Sequence, residues 1–570
     1  MRFKNDTKSF SATDLSTHSE CEHRTVLEMG VALRKWDRPG QSEIRTELLE
    51  IRGLEHERRV VEWYENAGRT VARVGAARGG EVLETSATDF VADQGEHADR
   101  NAAAVAETES LMRSGADVIY QGALRHGDWF GKPDFLVRAP GSSRFGDFHY
   151  EAVDAKLARE TKARAVLQLC VYTELLTKVQ ERAPEKFWIA PGTVPVELQE
   201  LRADDFMAYF RRVRGQFETF AGAASATGVA ASAAPAVPYP DPVEHCAICP
   251  WWKQCEERRR TDDHLSLVAG ITRRQRERLK DAAVETVATL GSLPPARQID
   301  GIRDEVLGRI REQARIQVEG REERKPKCEL LPRSEEPAGL ELLPEPAELD
   351  LFLDLEGDSF VGGDGIEYLF GLLEVENSTD LFDTTKKTKR EQYFEYWATT
   401  RAEEKHAFEA LVDRIVRRRT EFPRLHVYHF GHRENDALKK LASRHDTRAA
   451  EVDEFLRAGV LVDLHRVTRQ GIRASVESYS LKQLEPLYAF TRRVVVREAS
   501  VAMQLFGWWH RARQGRSSTS RLSRYPSSRR NRRMEASQRR FPINAGLGRW
   551  TDRRKRRPCR FPSRCLRAFR

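Results

Sequence analysis

Apolar residues recur near helical spacing across residues 47–64, where Leu54, Val60, Val61 and Tyr64 predict one buried stripe of a helix. Two alternating runs, residues 134–138 and 149–156, are joined by a Gly/Ser-rich turn and predict a strand pair. A helix is predicted next, over about 163–178. Residues 221–243 are rich in Ala, Gly, Ser and Pro and read as a flexible linker. Short helical patterns over 262–300, with Gly270 at a turn, fit either a helix-hairpin-helix element or a plain helical connector. Many charges and five prolines between 321 and 348 mark a domain boundary. Beyond it LDLFLDLE (349–356) alternates as a strand and IEYLFGLLEVE (366–376) gives a second. Helix 402–419, strand 425–430 and helix 433–445 follow.

The pattern is α/β throughout, without a fixed-period repeat, and 570 residues exceed one core. The expected domains are 1–260, a connector with charged linker over 261–345, a second α/β domain over 346–505, and a tail over 506–570. No run approaches the ~20 apolar residues of a membrane span, and the N-terminus lacks a signal-peptide core, so a cytoplasmic protein is expected.

Charge changes this picture at one end. The formal net charge is +8, yet residues 511–570 hold 21 Lys plus Arg against 2 acids, leaving −11 on residues 1–510. A mildly acidic body argues against capture of nucleic acid by the whole surface, so any binding groove needs local basic patches. The tail reads either as a basic nucleic-acid-binding arm or as sequence whose reading frame was lost near residue 506. Both readings expect disorder there.

The strand pair carries candidate chemistry. Asp134 opens one strand, and Asp154 and Lys156, two apart on the next, share a face. Paired carboxylates supply the hard oxygen ligands that Mg²⁺ takes. A metal held there polarises a phosphate and activates water, and Lys156 is suited to orient that water or to stabilise developing charge. Gln168 and Tyr172 are four apart and share a helix face, and His56 on an earlier helix is a candidate third ligand. Singly, each residue has an ordinary structural explanation, such as a buried histidine satisfied by the core. The ordered set is harder to obtain by accident.

That set, His56, Asp134, Asp154-x-Lys156 and Gln168-x3-Tyr172, resembles the RecB-like family of PD-(D/E)xK nucleases over roughly residues 8–260. The resemblance implies a restriction-endonuclease-like fold and Mg²⁺- or Mn²⁺-dependent cleavage of DNA ends or single strands. It also implies His56 as the helical metal ligand, Asp134 and Asp154 as the acids, Lys156 as the motif lysine, and Gln168 and Tyr172 as DNA-positioning residues. Here Asp154 stands where the family more often has Glu, which keeps the carboxylate.

Cys246-x2-Cys249-x5-Cys255 needs a fourth thiol, and Cys21 is the candidate. Spacing alone does not choose between structural zinc and an iron–sulfur cluster. The resemblance implies a 4Fe–4S cluster, because one RecB-like subgroup staples its fold with one N-terminal and three C-terminal cysteines.

A second acidic set begins at Asp354-x-Glu356 on the 349–356 strand, continues with Glu434, for which Asp436 is the alternative, and adds Asp463. This order resembles YprB-type RNase H-like 3′–5′ exonuclease domains with four metal-binding acids. The last family motif, Tyr then Asp on a final helix, is expected after about residue 505 and is absent, so this site is expected to be incomplete. The domain pair resembles a bacterial nuclease family in which a helicase sometimes follows, and no GxxxxGK[ST] loop occurs here. The expected function is a metal-dependent DNA nuclease of repair or recombination, with RNA as a further substrate and a separate or lost helicase as a partner. The alternatives are a non-catalytic nucleic-acid-binding scaffold and an inactive remnant of a longer helicase–nuclease.

Overall fold

The computed structural model describes residues 1–4, 7–39, 43–75, 94–226, 237–333, 335–361, 364–379, 387–490 and 506–507. The chain divides into two compact units, one built on Met1–Glu256 and one on the chain from Glu257.

The first unit has a six-stranded mixed sheet of Val71–Arg73 (β1), Val118–Tyr120 (β2), Phe135–Ser143 (β3), Gly146–Lys156 (β4), Lys186–Pro191 (β5) and Gln199–Arg202 (β6). Its order is β6-β5-β4-β3-β2-β1. Strands β3 and β4 form an antiparallel pair with Phe135 opposite Val153, and β5 runs parallel to β4. The helices are Ala12–Glu20 (α1), Glu22–Ala32 (α2), Glu43–Asn66 (α3), Gln94–Arg113 (α4), Ala163–Gln180 (α5) and Asp204–Ala226 (α6).

Helices cover both faces of β4, so residues 149–154 are all buried. Tyr150 and Ala152 pack with Leu169 and Leu176 of α5, while Val153 packs with Val60, Val61 and Tyr64 of α3. Each large apolar side chain buried here contributes roughly 2 kcal/mol. Leu54, expected on the buried stripe of α3, is instead exposed. Helix α6 runs on through Ala226, so the linker expected from residue 221 starts later, and residues 227–236 lie outside the described residues.

The second unit has a five-stranded sheet of Leu349–Asp358 (β7), Ile366–Thr379 (β8), Lys387–Trp397 (β9), Val427–His429 (β10) and Leu461–Asp463 (β11). Its order is β9-β8-β7-β10-β11. The first three strands are antiparallel, and β10 and β11 continue the sheet in parallel. Alternation along β7 sends Leu349, Leu351, Leu353 and Leu355 into a core with Phe408, Leu411 and Ile415 of the Arg401–Glu421 helix. Asp354 and Glu356 therefore project from the other face.

The boundary expected at 321–348 is not a break in the fold. Cys328–Leu330 pairs antiparallel with Ile472–Ala474, and Gln313 Nε2, on the Asp304–Glu322 helix (α7), donates to the Ala474 carbonyl at 2.9 Å. The prolines punctuate a strap that belongs to the second unit. Ahead of it, Gly270 turns at φ +77° before the Arg273–Asp281 helix, with Val287–Gly291 following over Leu265, Leu279 and Leu290. Of the 506–570 tail only Phe506 and Gly507 are described, and Phe506 stacks on Tyr368 with centroids 4.1 Å apart. The rest of the tail, and the missing Tyr/Asp motif, lie outside the described residues.

Candidate active sites

The pairing of β3 with β4 brings Asp134, one residue before β3, beside Asp154. Asp134 Oδ2 accepts the Ala155 N–H at 2.8 Å. Asp154 is 2% exposed, and Lys156 Nζ lies 2.5 Å from its Oδ2. Burial, then the Asp154 charge, pushes the Asp134 carboxyl well above the ordinary carboxylate range. Burial opposes the Lys156 charge, yet Asp154 and Asp134 hold its ammonium above the usual lysine value.

A third carboxylate reaches this group. Glu57 on α3 accepts hydrogen bonds from Tyr120 Oη and Gln121 Nε2, both at 2.8 Å on Oε2. Burial raises its pKa, while the Lys156 charge lowers it and the Asp154 charge raises it further. Sequence reasoning chose its neighbour His56. That ring is buried, Nε2 lies 2.9 Å from the Ala190 carbonyl, and burial lowers its pKa, so it is a neutral donor to backbone. Glu57, a residue that the sequence motif did not single out, interacts electrostatically with the acids and the lysine. Tyr172 on α5 is buried, and its hydroxyl is pushed well up by burial and by the charges of Asp154 and Asp134. Gln168 lies one turn earlier, half-buried.

Asp134, Asp154 and Glu57, within electrostatic range of one another, are of the type a hard divalent cation takes. Asp154 Oδ2 makes no well-angled hydrogen bond despite its contact with Lys156, which leaves a lone-pair direction for a cation. As the side chains stand, Lys156 supplies the positive charge. Among the described residues no three His, Cys, Asp or Glu side chains are arranged to hold a metal ion.

Three of the four candidate cysteines approach one another in the first unit. Cys21 caps both α1 and α2, and its Sγ accepts the Arg24 N–H at 3.4 Å. Cys246 Sγ accepts the Val243 N–H at 3.4 Å. Cys21, Cys246 and Cys249 lie within electrostatic range of one another, and burial raises the Cys21 and Cys249 thiols. Polar contacts hold the two segments: His245 Nδ1 to Glu20 at 2.9 Å, Trp251 Nε1 to Glu28 at 3.1 Å, and His23 Nδ1 to the Pro238 carbonyl at 2.7 Å. Cys255 is half-buried on the Trp252–Thr261 helix. Four thiols suit zinc as well as an iron–sulfur cluster.

In the second unit Glu356 meets Glu434 at the start of the Arg433–His445 helix. Burial raises the Glu356 carboxyl, the Arg433 charge lowers it, and Glu367 and Glu434 raise it again. Glu434 is buried, 3.6 Å from His429 Nδ1, and its Oε2 makes no hydrogen bond. Asp436 is exposed, so Glu434 is the residue of the pair that faces Glu356. Asp354 lies on the same strand face and, with Glu356, raises the Tyr393 hydroxyl after burial has done so. Asp463 Oδ1 accepts N–H groups from Gly431, His465 and Arg466, capping a helix. Arg433, which sequence reasoning missed, bonds to the Leu355 carbonyl and to Glu367.

Residues 351–526 match the family RNase_H_2 of the RNase H superfamily, less than a third of the chain. The match starts on β7 and spans Asp354, Glu356, Glu434 and Asp463, and it continues past Phe506 to residue 526. This superfamily is in general a fold of phosphodiester-hydrolysing nucleases that use divalent metals, and it classes the second unit as RNase H-like. No curated protein matches the chain. Among the described residues no helix is long and apolar enough to cross a membrane.

Proposed function

We propose that the chain is a divalent-metal-dependent DNA nuclease whose first unit is a RecB-like PD-(D/E)xK domain, cutting at ends or in single strands during repair or recombination. The observation that carries this reading is the convergence of Asp134, Asp154 and Lys156 on neighbouring strands, with Glu57 joining from α3. Asp134, Asp154 and Glu57 would hold Mg²⁺ or Mn²⁺, with His56 behind them as a support of β5. Bound there, the metal supplies Lewis-acid polarisation of the phosphate and of an attacking water. Lys156 leaves Asp154 to orient that water or to neutralise charge on the phosphoryl oxygens. Tyr172 and Gln168 line the side from which a strand approaches.

Cys21, Cys246, Cys249 and Cys255 are proposed as a 4Fe–4S staple, with zinc as the alternative, closing the N-terminal helices onto the 238–255 segment. The hairpin at Gly270 is proposed to hold nucleic-acid backbone. For the RNase H-like unit a second reading, a binding scaffold, is favoured by Arg433 flanking Glu356 and by Asp463 serving as a helix cap. The test is cleavage of labelled single- and double-stranded DNA and RNA with Mg²⁺ or Mn²⁺. Wild type is compared with Asp154→Asn and Lys156→Ala, which are expected to be inactive while Glu356→Gln remains active. Equal cleavage by all four proteins overturns the assignment.

A further inference from the structure

One cation beside the first acid group makes no hydrogen bond or ion pair with a described residue. Arg164 stands in the first turn of α5, half-buried. It lies within electrostatic range of Lys156 on one side and of Glu20 on the other. Nearby cations are engaged: Lys156 by Asp154, Lys162 by Glu244 at 3.9 Å, and Arg24 by Glu28 at 3.4 Å. A half-buried guanidinium whose N–H groups have no hydrogen-bond acceptor among the described residues is free to fork onto an anion.

Its position indicates which anion. Arg164, Gln168 and Tyr172 follow one another at four-residue spacing, so they form a single stripe along α5. Tyr172 marks the acid end of that stripe through its interaction with Asp154 and Asp134. Four residues of helix rise about 6 Å, close to the spacing of successive phosphates in an extended strand. A strand whose scissile phosphate lies at the acids and that follows the stripe meets Gln168 and then Arg164.

We infer that Arg164 binds a backbone phosphate of the substrate strand two positions from the scissile one, and so sets which phosphodiester enters the acid site. This rests on the nuclease reading of the first unit. A guanidinium forks onto two phosphate oxygens, a geometry that lysine does not reproduce.

The test uses the full chain and oligothymidylate carrying a fluorescent label. In steady-state cleavage with Mn²⁺, Arg164→Ala is expected to raise KM about tenfold with kcat nearly unchanged, as loss of one charged hydrogen-bonded contact implies. In the Asp154→Asn background, where binding is measured without cleavage, Arg164→Ala is expected to reduce the slope of log affinity against log salt by about one. Arg164→Lys should restore the salt slope and only part of the affinity. A purely structural role would lower the melting temperature and leave the slope unchanged. Unchanged KM and slope in Arg164→Ala overturn the inference while leaving the nuclease reading standing. Absence of cleavage by wild type overturns that reading, and a salt slope that still depends on Arg164 would then keep the phosphate contact.

Discussion

Replacing Asp350 by Asn tests how the strand that bears Asp354 and Glu356 is held. Asp350 is 7% exposed on β7, accepts the N–H of His426 at 3.2 Å and receives a longer contact from the Ala347 N–H at 3.4 Å. The nearest cationic candidate is His426 Nδ1 at 3.9 Å, on a ring whose pKa is itself lowered by burial and by Arg419. Desolvation therefore outweighs the two backbone donors, and the carboxyl is pushed up to about 6. An unfolded aspartate titrates near 3.9. Below that value both states are protonated and the shift has no effect. Between the two values the folded chain holds a proton that the unfolded chain has released, so stability falls as pH rises. Above about 6 both are ionised and the loss is complete, roughly 3 kcal/mol at pH 8 and about half of that at pH 5. Asparagine keeps an oxygen for the His426 N–H and carries no charge to desolvate. Asp350→Asn is expected to stabilise the second unit, increasingly from pH 5 to pH 8. Hydrogen exchange of peptides from residues 349–379 in the full chain, corrected for intrinsic rates, reads that difference. Equal protection at pH 8, or an advantage that shrinks as pH rises, refutes the reasoning.

Three further outcomes follow from the first acid group and its clasp. Asp154→Asn is expected to lose cleavage by more than about a thousandfold yet to melt no lower than wild type, because it removes the Asp154 charge that crowds the buried Asp134 carboxyl and leaves Lys156 to face Asp134; calorimetry with the cleavage assay checks both. Glu57→Gln is expected to raise the Mg²⁺ concentration needed for half-maximal cleavage several-fold, while His56→Gln lowers thermal stability by about 1–3 kcal/mol and leaves that concentration unchanged; the opposite assignment of effects would return the ligand role to His56. Cys21→Ala is expected to lower the melting temperature and, if the clasp holds an iron–sulfur group, to remove broad visible absorbance from anaerobically prepared protein.

Residues whose partners lie nearby in the chain were the legible ones. LDLFLDLE alternates because one face of β7 is apolar, and Asp154-x-Lys156 declares a shared face by spacing alone. Glu57 was illegible beside His56, since adjacent helix positions point about 100° apart and its partners Tyr120 and Gln121 lie some sixty residues away. Glu434 carried a readable signal: it is in helical phase with buried Leu438 and Leu441, whereas Asp436 is not. The strap around Cys328 was misread because its pairing partner, Ile472–Ala474, lies more than a hundred residues away and prolines dominate the local pattern.

The two acid groups differ in what balances their charge, and that difference bears on which of them can take up a metal. At the first, the balancing cation is the flexible ammonium of Lys156, about a third exposed and in short contact with Asp154. An ammonium on a four-carbon stem can swing aside when a divalent ion arrives, and the charge of that ion would offset the burial and the Asp154 charge that raise the Asp134 carboxyl. At the second, Arg433 is bonded both to the Leu355 carbonyl and to Glu367, so its fork is fixed to backbone and side chain together. Displacing it would break both contacts, and Asp463 is held by three backbone amides besides. On the proposed nuclease reading, a metal would therefore enter more easily at Asp134, Asp154 and Glu57 than at Glu356 and Glu434, where Arg433 would first have to move. Arg433→Ala consequently separates the scaffold and enzyme readings of the RNase H-like unit. In an Asp154→Asn background, newly gained Mn²⁺-dependent cleavage would reveal a nuclease restrained by its own arginine, and continued inactivity with intact nucleic-acid binding would support the scaffold.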